Sequence, residues 1–580
     1  MLNRSKRLAG LVAVAAASLL AAAACSSGGG GGTNQPQYSP GFAECLTKPN
    51  TCNNGQTKKG GTLVFAVEQD MASWHINSAD GSHFSSSQML SGLIPGPFQV
   101  NPDLSVTVNK DLMVSAEQTS TSPQTIVYKI RPEAIWSDGT QITADDFLYN
   151  LYTFDGKTCK DCTPASTSGY DIVKDAVASD NGKTLTVTFD QPYPDWKGLF
   201  SLYPAHVAKA AGWNGTKEDA AGLLKSFNAF INTQMTWSGG PYMIEKYDKG
   251  VALTEVPNPK WYGAVKPQLD KLVWRLVEQQ SELIPALRNG EINAAYPQPS
   301  VDLVTQAGEL TNSQFQLASG AVWEHFDINT KNTFLADKAL RQAIFTAVDR
   351  KDIITKTVGI FAKDIKPLGN HVLFPTQKGY TDEITAAKQG AGDVDAAKKI
   401  LTDAGYTGVG TKLVNKAGQA VPALRFRHTV GNKLRADTAA LFQAQMKKLG
   451  IDITIEPTDA LSKTLNDGNY DIMIFAWVGS PLIGSNLKDL WSTDSGQNYN
   501  KHANPEFDKI AIEAASTVDE AKFLDLVKQG VKILTDDAVV LPLFQKPNML
   551  IVYKDYVNIR GNATNAGPAY NNQEWGLKAA

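Results

Sequence analysis

Phe442, Met446 and Leu449 recur at helical spacing, Gly450 stops the run, and Ile451, Ile453 and Ile455 then alternate as strand residues do. A helix, a glycine and a strand in that order form the crossover unit of an α/β domain, because parallel neighbours in a sheet need such a connection. The pattern repeats upstream. Val394, Ala397 and Leu401 predict another helix, with Asp393 placed to cap its start and Gly405 to end it. Leu340, Ala343, Ile344, Ala347 and Val348 predict a third, amphipathic one. Earlier in the chain, Leu63-Val-Phe-Ala-Val67 fits a buried strand, and Thr184-Leu-Thr-Val-Thr-Phe189 a half-buried strand after an Asp180-Asn-Gly turn. No internal repeat of fixed period is present, so the chain reads as a mixed first half followed by a more regular α/β second half.

The 580 residues allow about three or four domains. With 42% hydrophobic and 19% charged residues there is ample material for sizeable cores. A net charge of -3 argues against a nucleic-acid partner, whose affinity comes from a basic face. Beyond the N-terminus no apolar run approaches the ~18 residues of a membrane-spanning helix.

Residues 1–24 read as a signal peptide: Arg4, Lys6 and Arg7, then an apolar run from Leu8 to Leu20, then the small residues Ala21 to Ala24. Cys25 follows directly, ahead of Ser26, Ser27 and Gly28 to Gly32. This resembles a bacterial lipoprotein signal, in which the cysteine is lipidated and becomes the new N-terminus; Ala22 departs from the leucine that pattern prefers three residues before the cysteine. The alternative is an ordinary secretory signal cut nearby. Residues 25–60 form a Gly/Ser/Asn/Pro-rich linker, a flexible tether between anchor and folded body. Four further cysteines remain, and in an exported chain they predict two local disulfides, Cys45–Cys52 and Cys159–Cys162. Zinc is the alternative: Cys159-x-x-Cys162 has ligand spacing, whereas the Cys45/Cys52 interval does not supply the second half of such a site.

Signatures of catalysis are missing. There is no Gly-x-Ser-x-Gly elbow and no His-Glu-x-x-His helix, and the two Gly-Lys-Thr tripeptides lack the leading glycine of a phosphate-binding loop, its place being held by Leu151 and Val177. The chain is therefore expected not to be an enzyme, and no cofactor is implied.

Six segments together resemble the family 5 extracellular solute-binding proteins, the dipeptide- and oligopeptide-binding subunits of ABC importers. They are Ile130-Arg-Pro-Glu-Ala-Ile-Trp-Ser-Asp-Gly-Thr-Gln-Ile-Thr-Ala-Asp-Asp-Phe147; Gly239-Gly-Pro-Tyr-Met-Ile-Glu-Lys-Tyr247 with Asn258-Pro-Lys-Trp-Tyr262; Ala286-Leu-Arg-Asn-Gly-Glu-Ile-Asn293; Phe326-Asp-Ile-Asn329 with Leu340 to Arg350; Ala396 to Tyr406; and Val540-Leu-Pro-Leu-Phe544. Their order matches the family over roughly residues 60 to 550. Asp138-Gly139 suits a tight turn, and Thr143 with Asp146 approximates a capping box.

The resemblance implies an α/β, class II periplasmic-binding-protein fold: two lobes with an extra subdomain inserted in lobe one. Lobe one would comprise 61–105, 226–319 and 542–580, the inserted subdomain 106–225, and lobe two 320–541. It also implies a monomer, tethered outside the membrane of a bacterium (an actinobacterium) through Cys25, that closes on a small-molecule or peptide ligand and hands it to a membrane permease. An oligosaccharide importer subunit and an accessory protein of cell-envelope glycolipid assembly are the competing readings.

Trp477 follows the strand Asp471-Ile-Met-Ile-Phe475 and matches the family's binding-site tryptophan. Trp74 and His75 lie in a strand-end loop of the kind that faces an interlobe cleft, and Trp323, Glu324 and His325 sit close to where the family's hinge lies. Trp136, Trp261 and Trp274 are assigned to packing. Peptide-binding members carry an aspartate three residues after the tryptophan, where it pairs with the peptide's α-amino group; here that place is Ser480. A serine offers only a neutral hydrogen bond in place of a charge-assisted one. A blocked or modified peptide, an oligosaccharide or another neutral polar molecule would suit it, unless Asp459, Asp489 or Asp494 supplies the missing carboxylate.

Overall fold

Ten strands join into a single mixed sheet, and two of them, far longer than the rest, run through both of its halves. The computed structural model describes residues 42–579, so the signal segment and Cys25 lie outside the described residues. In chain order the strands are β1 (Thr62–Val67), β2 (Tyr242–Asp248), β3 (Ala252–Pro257), β4 (Lys271–Leu276), β5 (Ala294–Ala295), β6 (Ser313–Ile328), β7 (Leu424–Thr429), β8 (Ile453–Thr458), β9 (Ile472–Val478) and β10 (Val540–Tyr553). Their spatial order is β8-β7-β9-β6-β10-β5-β1-β4-β3-β2.

In one half β1 lies parallel to both β4 and β5, and in the other β7 lies parallel to both β8 and β9. The sequence explains both sets. β1 and β9 are apolar runs buried on both faces, as parallel strands covered by helices must be. The helix Lys433–Lys447 provides the crossover from β7 to β8, capped by Asn432 and stopped at Gly450 (φ 80°). The helix Val394–Asp403 is capped by Asp393, whose carboxylate accepts the Ala396 N–H at 2.9 Å, and it packs on the helix Lys338–Ala347.

β6 and β10 pair antiparallel in two stretches. Residues 313–319 face 547–553 on the β1 side, and 323–327 face 540–545 on the β7 side, with one register shift between the stretches and a second between Glu324 and His325. Extra residues at such a shift bend and twist the ladder locally. Gly320 sits in the break, where a Cβ would lie 2.4 Å from that of Ala563.

A separate antiparallel sheet, Met113–Thr121, Gln124–Ile130, Thr184–Phe189 and Val173–Ser179, carries the helix Ala144–Phe154. That helix opens on the capping box anticipated from sequence: the Thr143 side chain caps it, and the Asp146 carboxylate accepts the Thr143 N–H at 2.8 Å. This sheet shares one core with the β1 half, including Leu63, Tyr128, Phe147 and Trp274, whereas Phe326, Leu424, Phe442 and Leu541 belong to a second core. Cys45 is bonded to Cys52 and Cys159 to Cys162, so none of the four is free to hold zinc. Among the described residues no helix is long and apolar enough to cross a membrane, and no cluster of metal-ligating side chains occurs.

Phe326 is fully buried on β6, with its ring 5.0 Å from Phe442 and 5.4 Å from Phe426. Phe326→Ala is expected to cost about 3–5 kcal/mol through lost burial and the cavity left behind, read as a lower guanidinium midpoint.

Candidate functional site

The carboxyl ends of the parallel strands converge on one cleft. β1 leads into Glu68 and Gln69, β4 into Val277 and Glu278, β5 into Tyr296 to Gln298, and β7 into Val430 to Asn432; all of these, with Trp477 and Val478 of β9, line a cavity of about 310 Å³. The region beyond strand carboxyl ends is the general ligand position of open α/β sheets. Two further chambers adjoin the central one. A chamber of about 470 Å³ shares Ser82, Asn486, Asp489, Gln497 and Asn565 with it and is rich in serines. Another of about 410 Å³ shares Gln280, Gly431 and Asn432. The two sides touch across the cleft: the Ser485 N–H donates to Asp195 at 2.9 Å, the Ser166 hydroxyl to Asp489 at 2.7 Å, and Asn466 to Asp80 at 2.8 Å. Lys488 also pairs with Asp171.

Four charged side chains meet at the back of the central chamber. Arg435 stands in the first turn of its helix because the Asn432 side chain accepts its backbone N–H at 3.0 Å. Its Nε and Nη2 donate to the fully buried Glu324 carboxylate of β6 at 3.2 and 3.0 Å, and its Nη1 donates to Thr429 at 2.8 Å. A guanidinium has five N–H donors; with these three engaged, two have no protein acceptor among the described residues. Lys546 of β10, only 3% exposed, has Nζ 3.8 Å from Glu324 and donates to the Gln298 side chain. Glu68 accepts the Gln298 N–H at 2.8 Å. Burial pushes the Glu68 carboxyl above its ordinary value. Burial likewise pulls the Lys546 ammonium down to about 8, against the attraction of Glu324. One carboxylate therefore serves two buried cations.

Trp477 supplies the aromatic wall. It lies parallel to Tyr499, with ring centres 5.6 Å apart and planes 8° apart, and parallel to His325 behind it, at 6.1 Å and 3°.

Residues 107–499 match the model of the bacterial extracellular solute-binding proteins, family 5 middle. The chain is a family 5 solute-binding protein. It is 29% identical to the oligopeptide-binding protein OppA of Mycobacterium tuberculosis over 86% of this chain and 82% of that one. Among solved structures, a periplasmic EDTA-binding protein, EppA, superposes with a TM-score of 0.83 at 35% identity, covering 92% of this chain and 99% of the other. The oligopeptide-binding protein AppA of Bacillus subtilis, solved with a nonapeptide, superposes with a TM-score of 0.77 at 20% identity, over 90% and 100% of the chains, and shows the shared two-lobed fold. The binding protein is thus homologous to oligopeptide-binding proteins of ABC importers, and its homologues are solute-binding proteins, not enzymes.

The structure separates the residues singled out from sequence. Trp477 borders the central chamber and Ser480 the serine-rich one, where the Ser480 hydroxyl oxygen accepts the Leu482 N–H at 3.0 Å. Glu324 lies behind the wall, holding Arg435. The other four are not on the wall of these chambers. Trp74 packs edge-on against Tyr247, and His75 is stacked 3.9 Å from Tyr203 among Phe154 and Phe227. Burial pushes the His75 imidazole down to about 3, so it stays neutral. Trp323 is buried in the core beside Trp491, and His325 is fully buried between Phe475 and Trp477. The sequence reason is strand alternation: in β6, residues 323 and 325 share the face opposite to 324. Trp136, Trp261 and Trp274 are buried packing residues. Of the three candidate aspartates only Asp489 borders the cleft, between the central and serine-rich chambers, while Asp459 and Asp494 are exposed. Sequence reasoning missed Arg435, Lys546, Glu68 and Tyr499. Lys546, the one charged residue of β10, with apolar runs on either side of its Gln545 to Asn548 segment, was the available signal, since lysine is rarely buried without a partner.

Lys546 titrates near 8 in the folded protein against an ordinary 10.5. Between those values the unfolded chain holds more protons than the folded one, so this lysine's unfavourable contribution is full below about pH 8 and is relieved as pH rises. Relative to Lys546→Met, the native chain should gain stability between about pH 7.5 and pH 9.5, measured by denaturant midpoints; a difference that does not vary with pH contradicts the assignment.

Proposed function

We propose that this protein captures an elongated, peptide-like solute bearing a carboxylate between its two halves and delivers it, chemically unchanged, to an ABC permease. It is held outside the membrane by lipidated Cys25 and acts as a monomer. The observation that carries this reading is a cleft of three adjoining chambers, with two unpartnered Arg435 donors and buried Lys546 at its centre. A carboxylate placed there would form charge-assisted hydrogen bonds, each stabilising by about 1.5–3 kcal/mol. Trp477 and Tyr499 offer apolar faces for the ligand body. Asp489, half-buried between two chambers, is the acceptor available to a ligand amine in place of the aspartate absent at Ser480. The kinship with OppA and AppA supports a peptide cargo.

A second reading, a compact metal–polycarboxylate chelate, draws on the likeness to EppA and on the same two cations. Titration calorimetry separates them. A pentapeptide pool with free C-termini should bind at least tenfold more tightly than the same pool amidated at the C-terminus. A metal–EDTA complex that binds while both pools fail would favour the chelate, and an oligosaccharide that alone binds would overturn both. Trp477→Ala is expected to weaken the true ligand by at least tenfold; unchanged affinity would remove this side chain from the site.

A further inference from the structure

One nearly buried histidine on the wall of the central chamber has a ring that the protein itself leaves unbonded. His83 lies between Ser82 and Phe84, all three of which border that chamber, and it immediately precedes the helix Phe84–Leu90. Its backbone is engaged, the carbonyl accepting the Ser87 N–H at 2.9 Å. Its side chain makes no capping bond, although a serine, threonine, aspartate or asparagine in that place would.

His83 is 9% exposed, and its two ring nitrogens differ. Nδ1 is sealed from solvent with no partner among the described residues, whereas Nε2, equally unbonded, keeps access to solvent on the chamber side. His75 and His325, by contrast, have both nitrogens sealed. A neutral imidazole carries its proton on one nitrogen, and a buried N–H without an acceptor is rarer than a buried lone pair without a donor. The proton therefore sits on Nε2 and faces the chamber. Burial pulls the His83 imidazole down to about 4, so the ring is neutral at pH 7. Burial alone accounts for this, although Glu68, Glu278, Arg435, Asp489 and Lys546 line the same chamber. His83 thus stands apart from the charged set. Without a charge of its own it adds no ionic reward for a carboxylate, and the partner that suits a neutral N–H is a carbonyl oxygen.

Resting on the peptide-like cargo proposed above, we propose that His83 is a specificity-determining residue of the cleft, donating from Nε2 to an uncharged amide carbonyl oxygen of the solute. Arg435 and Lys546 then read a carboxylate and His83 reads an amide, so full affinity needs both groups in one molecule. A metal–EDTA complex, which has carboxylates and no amide, gains nothing from His83. A site that holds its donor neutral also keeps that contact constant where the neighbouring charged groups titrate.

The probe is the pentapeptide pool with free C-termini. In titration calorimetry at pH 7.0, His83→Phe, which keeps a flat ring and removes the donor, should bind the pool about fivefold more weakly than the native chain. His83→Gln, whose amide N–H can reach the place of Nε2, should recover most of that loss. The ratio of native to His83→Phe affinity should be the same at pH 5.5, because the ring stays neutral; a ratio that grows several-fold on acidification marks a charged contact and overturns the assignment. Crystals of the native chain grown with the pool should place a peptide carbonyl oxygen about 2.9 Å from Nε2. A carboxylate oxygen at that nitrogen, or no polar ligand atom, would overturn the proposal without needing either variant to fold. A native chain that does not bind the pool defeats the cargo reading and this inference together, whereas tight native binding that His83→Phe leaves unchanged defeats this inference alone.

Discussion

A sheet that runs unbroken through two halves bends where its hydrogen-bond ladder fails, and β6 and β10 place two such failures close together, between Ser319 and Trp323 and between Glu324 and His325. On the β1 side residues 313–319 are in register with 547–553; on the β7 side 323–327 pair with 540–545, with a further one-residue shift between Glu324 and His325. Each stretch is welded to its own parallel set, through β5 and β1 in one case and through β9 and β7 in the other. The three residues between them belong to neither ladder. The position of the cleft follows from this, because the carboxyl ends of both parallel sets line the central chamber beside the break.

The same strands carry charge to that line. Lys546 sits in the break, between the paired residues Gln545 and Pro547, Glu324 lies just on its β7 side, and Arg435 reaches them from the helix after β7. A buried ion pair is poor evidence for stability, since desolvation can exceed the Coulombic gain. Here Glu324 alone bonds Arg435 and faces Lys546, while burial raises the Glu68 carboxyl above its ordinary value. Hydrophobic side chains of equal volume would serve stability better. A set that remains cationic at the centre of a cleft is understandable as a recognition surface.

How much of this was legible beforehand divides along physical lines. Elements fixed by local chemistry were readable: the helix Val394–Asp403 with its Asp393 cap, the Thr143/Asp146 capping box, the strand Thr184–Phe189 and the two short-range cysteine pairs. Two-lobed architecture came through the family resemblance, not through periodicity. The chambers were harder. Trp477 was found because it follows a recognisable strand. His75 and His325 looked like site residues because one lies in a strand-end loop and the other near the place of the family's hinge, whereas burial depends on which face of a strand or loop meets a core from elsewhere in the chain. Arg435 and Glu324 are 111 residues apart in sequence, and no local pattern announces such a pair.

Closure without a ligand has an electrostatic cost that the geometry makes explicit. With the halves in contact through Asp195–Ser485 and Ser166–Asp489, water has little access to Arg435 and Lys546, both more than nine-tenths buried. Two guanidinium N–H groups then have no protein acceptor among the described residues and depend on the water the small chamber holds, a state less favourable than in bulk solvent. An entering carboxylate reverses the sign, turning the unfilled donors into charge-assisted bonds in a low-dielectric chamber. On the proposed function, selectivity and gating are therefore one property: the clamshell resists closing on nothing, and the free energy that shuts it is released only by a solute able to satisfy those donors.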